Sequence, residues 1–113
     1  MTESEFIRSA EAVLSQIELA LERPEVLDLV DLECSRSGNV LEIEFVDNGS
    51  KIIINSQAPL REMWIAAKSG GFHYRHDGQK WRNTRDESEF FSALSHMVSE
   101  QGGAAVVVQD ATV

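Results

Sequence analysis

The chain has 113 residues, a net charge of −9, a pI of about 4.7 and one cysteine. That length suits a single domain with one modest core, burying roughly two-thirds of the surface the unfolded chain exposes. The acid excess excludes nucleic acid and anionic membrane as natural partners and favours cations and basic proteins, while the lone Cys34 excludes an internal disulfide and any Cys-rich zinc or iron–sulfur site.

The chain opens with Thr2-Glu-Ser-Glu5, the spacing of a capping box with Thr2 as N-cap. Apolar residues at 6, 7, 10, 13, 14, 17, 20 and 21 then predict one face of a helix, which Pro24 stops. The opposite face carries Ser4, Arg8, Glu11, Ser15, Glu18 and Glu22, so Glu11, Glu18 and Glu22 are expected along one solvent-facing ridge. The opening MTESEFIRSAEAV resembles neither a secretory signal nor an Arg-rich transit peptide, and no stretch reaches the length of a membrane span. A cytoplasmic protein is expected.

From Leu29 the period changes to two: Val30, Leu32 and Cys34 alternate with Asp31 and Glu33, predicting a half-buried strand with Cys34 inward. After the turn Ser37-Gly-Asn39, Leu41, Ile43 and Phe45 alternate with Glu42 and Glu44. Asp47-Asn-Gly-Ser50 is a hairpin signal leading to a strand over Lys51–Asn55. Pro59 breaks the pattern before a strand over Arg61–Lys68; Ser69-Gly-Gly71 turns into Phe72–His76, and Asp77-Gly78 into Gln79–Asn83. A second helix is expected from Asp86 to Glu100, capped by Thr84 or Asp86, with Phe90, Phe91, Leu94, Met97 and Val98 as its apolar stripe and Gly102-Gly103 as its end.

Short connections imply antiparallel pairing. The expected fold is therefore α+β: a two-layer sandwich with two helices on one face of an antiparallel sheet of about six strands, the other face being open to solvent. The domain spans residues 1–103 and a tail spans 104–113. By parity Glu42, Glu44, Lys51, Asn55, Lys68, Arg75 and Arg82 face outward.

The charge is uneven. Residues 1–56 hold twelve acids and four bases, while residues 57–113 hold seven acids and six bases. The helix acids, the loop acids Glu25 and Asp28, and the strand acids Asp31 and Glu33 crowd together where an ordinary surface would mix its signs. Carboxylate oxygens suit hard and borderline cations such as iron, manganese, magnesium and calcium, and the same ridge suits a basic protein. On pattern alone, a solvated face that keeps the protein soluble is the leading reading. His73 and His76 point to opposite sheet faces, and no Ser/His/Asp arrangement, Walker loop or dinucleotide fingerprint is present, so an enzyme is not expected. Trp64 has the parity of the open face if Met63 and Ile65 enter the core, which makes it a candidate anchor for a partner.

Asn55-Ser-Gln57-Ala-Pro59, then Trp64-Ile-Ala66 and Gly70-Gly-Phe-His-Tyr74, resembles the bacterial branch of the frataxin family, as do Asn48–Asn55 and Ser4-Glu-Phe6. The resemblance covers about residues 2–101. It implies a helix–sheet–helix sandwich that binds iron weakly and reversibly at its surface, through acids on the first helix and first strand. Glu11, Glu18, Glu22, Glu25, Asp28, Asp31 and Glu33 fall on that ridge. It also implies a cysteine desulfurase and an iron–sulfur scaffold as partners, met in part through Asn55, Gln57 and Trp64. An iron donor or desulfurase regulator is implied, a monomer that can oligomerise with iron. Leu19 and Arg23 interrupt the late-helix acids that some members carry, and Ile65 stands where Leu is common. In this family the tail can pack between the helices, and Val106–Val108 suits that role. With the resemblance included, the cation-and-partner reading overtakes the solvated face. The alternatives are a pure interaction module for which iron is incidental, and a ferroxidase, which would need inward carboxylates with His.

Overall fold

The computed structural model describes residues 1–109. Helix α1 (Glu3–Leu21) starts as expected: Thr2 Oγ1 accepts the Glu5 amide at 3.1 Å and Glu5 Oε1 accepts the Thr2 amide at 2.9 Å. Phe6, Ala10, Val13, Leu14, Ile17, Ala20 and Leu21 are buried, but Ile7, counted with the apolar face, is exposed. Pro24 does more than stop α1. It occupies the first turn of a short helix, α2 (Pro24–Leu27), where its fixed φ and missing N–H cost nothing, and Val26 anchors that turn in the core. The first strand therefore begins later than Leu29.

The six strands are β1 (Leu32–Ser37), β2 (Val40–Phe45), β3 (Lys51–Gln57), β4 (Glu62–Ala67), β5 (Gly70–His76) and β6 (Trp81–Asn83). They form one antiparallel sheet in chain order, with β1 and β6 as its edges. Gly49 takes φ +71° in the β2–β3 turn, a conformation that favours glycine. A 3-10 turn over Ala58–Leu60, carrying Pro59, leads into β4.

Helix α3 (Phe90–Gly102) starts four residues after the expected Asp86. Its cap is Glu89, whose carboxylate accepts the Phe91 and Ser92 amides at 2.6 and 3.1 Å. Asp86 instead turns its side chain onto Ser88, accepting that residue's amide and hydroxyl at 2.9 and 2.6 Å, a local turn that competes with helix.

The two long helices cover the sheet face presenting Leu41, Ile43, Phe45, Ile52, Ile54, Met63, Ile65 and Tyr74, all essentially buried. Phe6 meets Trp81 edge to face at 5.8 Å and Tyr74 meets Phe90 at 5.1 Å, so Trp81 is core. At the end of α3 the buried Gln101 accepts the Lys68 amide at 2.9 Å and donates to Ser50 Oγ at 3.1 Å, tying two turns of the sheet to the helix. Gly102 leaves no room for a side chain: a Cβ there would sit 2.8 Å from a Val30 methyl.

The tail packs onto α3 as far as Gln109. Val106 and Val108 are buried, and each donates its amide to one serine hydroxyl. The Val106 amide donates to Ser99 Oγ at 2.8 Å and its carbonyl accepts back at 3.0 Å. The Val108 amide donates to Ser95 Oγ at 2.8 Å, while the single Ser95 hydroxyl proton is shared between the Phe91 carbonyl at 2.7 Å and the Val108 carbonyl at 3.2 Å. The rest of the expected tail, residues 110–113, lies outside the described residues.

Candidate functional site

The seven candidate acids form a band over α1, α2 and β1 rather than one flat ridge. Glu11, Glu22, Glu25, Asp28, Asp31 and Glu33 are exposed and Glu18 is half-buried. Arg36, on the helix-facing side of β1, brings the strand and α1 together. Its guanidinium donates to Ser15 Oγ at 2.9 Å and pairs with Glu18 at 3.3 Å, so Glu18 is already partly neutralised. Cys34 sits beneath the same stretch. Burial, followed by the negative charges of Glu18 and Glu22, pushes its thiol up to about 11. It is a half-buried packing residue and not a nucleophile.

Glu11 shares the helix face of Glu18 but lies two turns earlier, about 10 Å along the axis. Glu25 and Asp28 ride on α2 and its C-cap, and Asp31 precedes β1. Glu33 is the outlier. It stands on the open face, directly across from Glu44, separated by the sheet from the helix acids. Like charges placed opposite one another destabilise a strand pair. Lys51, opposite Glu44 and 3.5 Å from Glu42, relieves part of the repulsion. Among the described residues, no three Asp, Glu, His or Cys side chains converge so as to hold a metal ion. The band offers separate carboxylates to solvent.

The open sheet face carries a second constellation. Asn55, Trp64 and His73 lie side by side on β3, β4 and β5. Trp64 stacks on His73 with ring centroids 4.3 Å apart and planes 7° apart, and Gln57 donates its amide to Asn55 at 2.6 Å. The hub is Glu62, which is almost fully buried. Its carboxylate accepts Trp64 Nε1–H at 2.9 Å and Arg75 Nε–H at 2.9 Å, and lies 3.4 Å from His73 Nδ1. Trp64 is thus half-covered and held in one orientation. The sequence reading named Asn55, Gln57 and Trp64, placed Arg75 outward without giving it a role, and passed over Glu62 and His73. Parity could have placed Glu62 and His73 there as well, but only the register shows that they meet Arg75 and Trp64.

These features define a class: a two-layer α+β domain whose six-stranded meander is covered by helices on one face and bare on the other, with an acidic band at the first edge. Residues 1–104 match the frataxin-like domain family. The chain belongs to that family. It is 63% identical over 98% of its length to a protein of Herminiimonas arsenicoxydans called iron-sulfur cluster assembly protein CyaY, covering 99% of that protein. A protein of the same name from Janthinobacterium sp. (strain Marseille) is 65% identical over the same shares. The solved frataxin of Psychromonas ingrahamii superposes with a TM-score of 0.85 at 33% identity, covering 97% of this chain and 100% of that one. A trimeric frataxin from Saccharomyces cerevisiae, complexed with ferrous ion, gives 0.64 at 21% identity over 91% of this chain and 88% of that one, a likeness of fold alone. No helix among the described residues is long and apolar enough to cross a membrane.

Proposed function

We propose that the protein is an accessory component of iron–sulfur cluster assembly. It takes up iron weakly at the acidic band and regulates or supplies a cysteine desulfurase and its scaffold by contact, without catalysis of its own. The observation that carries this reading is the end-to-end likeness to the CyaY assembly proteins, 98% of this chain against 99% of the Herminiimonas protein.

Glu11, Glu18, Glu22, Glu25, Asp28, Asp31 and Glu33 are the proposed iron ligands. Carboxylate oxygens are hard donors, and an open row of them binds loosely, which suits a cargo that must be handed on. The same negative field steers a basic desulfurase surface toward the band. Asn55, Gln57 and Trp64 are the proposed second contact, on the bare sheet face. The test is a ferrous titration followed by residue-resolved NMR, with calorimetric binding to the desulfurase, for the wild type and for Glu18→Lys with Glu22→Lys. Charge reversal is expected to weaken both bindings about tenfold or more; isotherms unchanged from wild type would refute the assignment.

A second reading makes iron incidental and the protein a pure interaction module. It is favoured by the lack of any three converging donors among the described residues and by the Arg36 contact to Glu18. The readings part on the desulfurase complex: unchanged affinity with a strong chelator present favours the second, and a loss favours the first.

A further inference from the structure

Helix α2 and the tail face each other across a groove of about 540 Å³, roughly the size of many ligand clefts. Val26 and Val106 are buried at it, while Leu29 and Val107, also lining it, are 58% and 66% exposed. Arg23, Pro24, Glu25 and Ala105 complete the lining, so the one acid and one base within it offset each other and the negative charge comes from the flanking Glu22, Asp28 and Asp31. Single exposed apolar residues need no explanation, but here apolar groups from two distant parts of the chain line one concavity.

The charge around the groove selects its occupant. Residues 22–31 hold Glu22, Glu25, Asp28 and Asp31 against Arg23 alone. A cation needs no apolar walls, and a solvated face would not expose Leu29 and Val107. A second copy of this chain, presenting the same groove, would set its acids against these. The chain's own residues 110–113, Asp-Ala-Thr-Val, would add a further acid. A basic segment with an apolar side chain meets both needs, the apolar group entering the groove and its Lys or Arg neighbours meeting the acids.

We propose that the groove between α2 and the tail docks an apolar anchor from a basic segment of a partner protein. The inference rests on the reading of the acidic band as a docking surface and gives that surface a hydrophobic hot spot, so that charge sets the rate of encounter and the anchor sets residence time.

The full-length protein is titrated with a synthetic peptide, Lys-Lys-Leu-Lys-Leu-Lys-Lys, followed by methyl NMR, and separately with the desulfurase. The Leu29 and Val107 methyls are expected to shift and saturate. Leu29→Ser and Val107→Ser should each weaken desulfurase binding about tenfold, mainly through faster dissociation, with an unchanged ferrous titration. Both residues are exposed, and an unaltered melting temperature confirms that each variant is folded. Peptide shifts confined to the acids, or desulfurase affinity unaltered in both variants, overturn the proposal. So does self-association that Leu29→Ser abolishes, which would seat a second copy in the groove, and so do contacts from residues 110–113 to the Leu29 methyls in the free protein. If the peptide shifts those methyls but the desulfurase does not bind the wild type, the groove stands and the proposed function fails.

Discussion

Glu62 shows how one side chain can organise a face. It is 7% exposed, and its two oxygens are shared among an indole, a guanidinium and an imidazole. Removing the carboxylate leaves the Trp64 N–H without its acceptor. Glu62→Ala should therefore cost about 1–3 kcal/mol in urea unfolding and alter Trp64 emission. Glu62→Gln, which keeps an acceptor for the indole, should cost less, and equal losses in the two variants would mean the Trp64 bond contributes nothing. Trp64 was legible in the sequence because strand parity alone exposes it. His73 was set aside because the histidines were weighed as ligands, whereas its role is to stack, and that depends on register. Cys34 offers a second test. Its thiol lies at about 11 against an ordinary value of 9.0, because burial, and then Glu18 and Glu22, disfavour the thiolate. Alkylation should be slow at pH 8 and climb only as pH nears 11, and Glu22→Gln should bring that climb to lower pH. Since the folded value is the higher one, stability linked to this thiol is intact below pH 9 and lost between about 9 and about 11. Rapid labelling at pH 8 would show that the thiol is not shielded.

Among the elements, α3 and the tail form a zipper built on matched repeats. Ser95 and Ser99 are one helical step of four apart, about 6 Å, and Val106 and Val108 are two residues apart in extended chain, about 6.6 Å. Each hydroxyl can thus accept one valine's amide, and Ser99 also donates to its valine's carbonyl. Replacing both serines with alanine strands three backbone groups, the Val106 amide and carbonyl and the Val108 amide, for an expected loss of about 2–4 kcal/mol in urea unfolding, with faster amide exchange at Val106 and Val108. A loss below about 0.5 kcal/mol would mean that the valine side chains alone hold the tail. The strands were readable because alternation persists through β1 and β2, and because the turn signal Asp47-Asn-Gly-Ser50 opens β3. Two helix boundaries were not. Pro24 can end a helix or begin one, and the burial of Val26 decides between them. Asp86 can cap a helix or a local turn, and here it bonds Ser88.

At the scale of the molecule, charge and architecture pull in different directions. The sheet runs in simple chain order, which short turns made legible, yet its first edge gathers most of the protein's net charge. Neutralising Glu22, Glu25 and Asp28 together should raise the melting temperature by about 2–5 °C at low ionic strength, and a divalent cation should do likewise. Glu18→Gln should give no such gain, because it also removes the pair with Arg36. Calorimetry showing the triple variant no more stable than the wild type would mean the band is not strained. That the acids wrap an edge instead of sharing one face was not legible, because it depends on how α1 lies along β1 through Arg36.

The contact at Gly102 links the chain's last helix to its acidic flank. With a hydrogen atom's clearance between Gly102 and Val30, the end of α3 acts as a doorstop for the segment that delivers Asp31 and Glu33. Adding one methyl at position 102 would wedge that doorway, because the new carbon would sit 2.8 Å from a Val30 methyl and one of the two must give. A change on the last helix can thus press on the segment just before the first strand without altering a single charge.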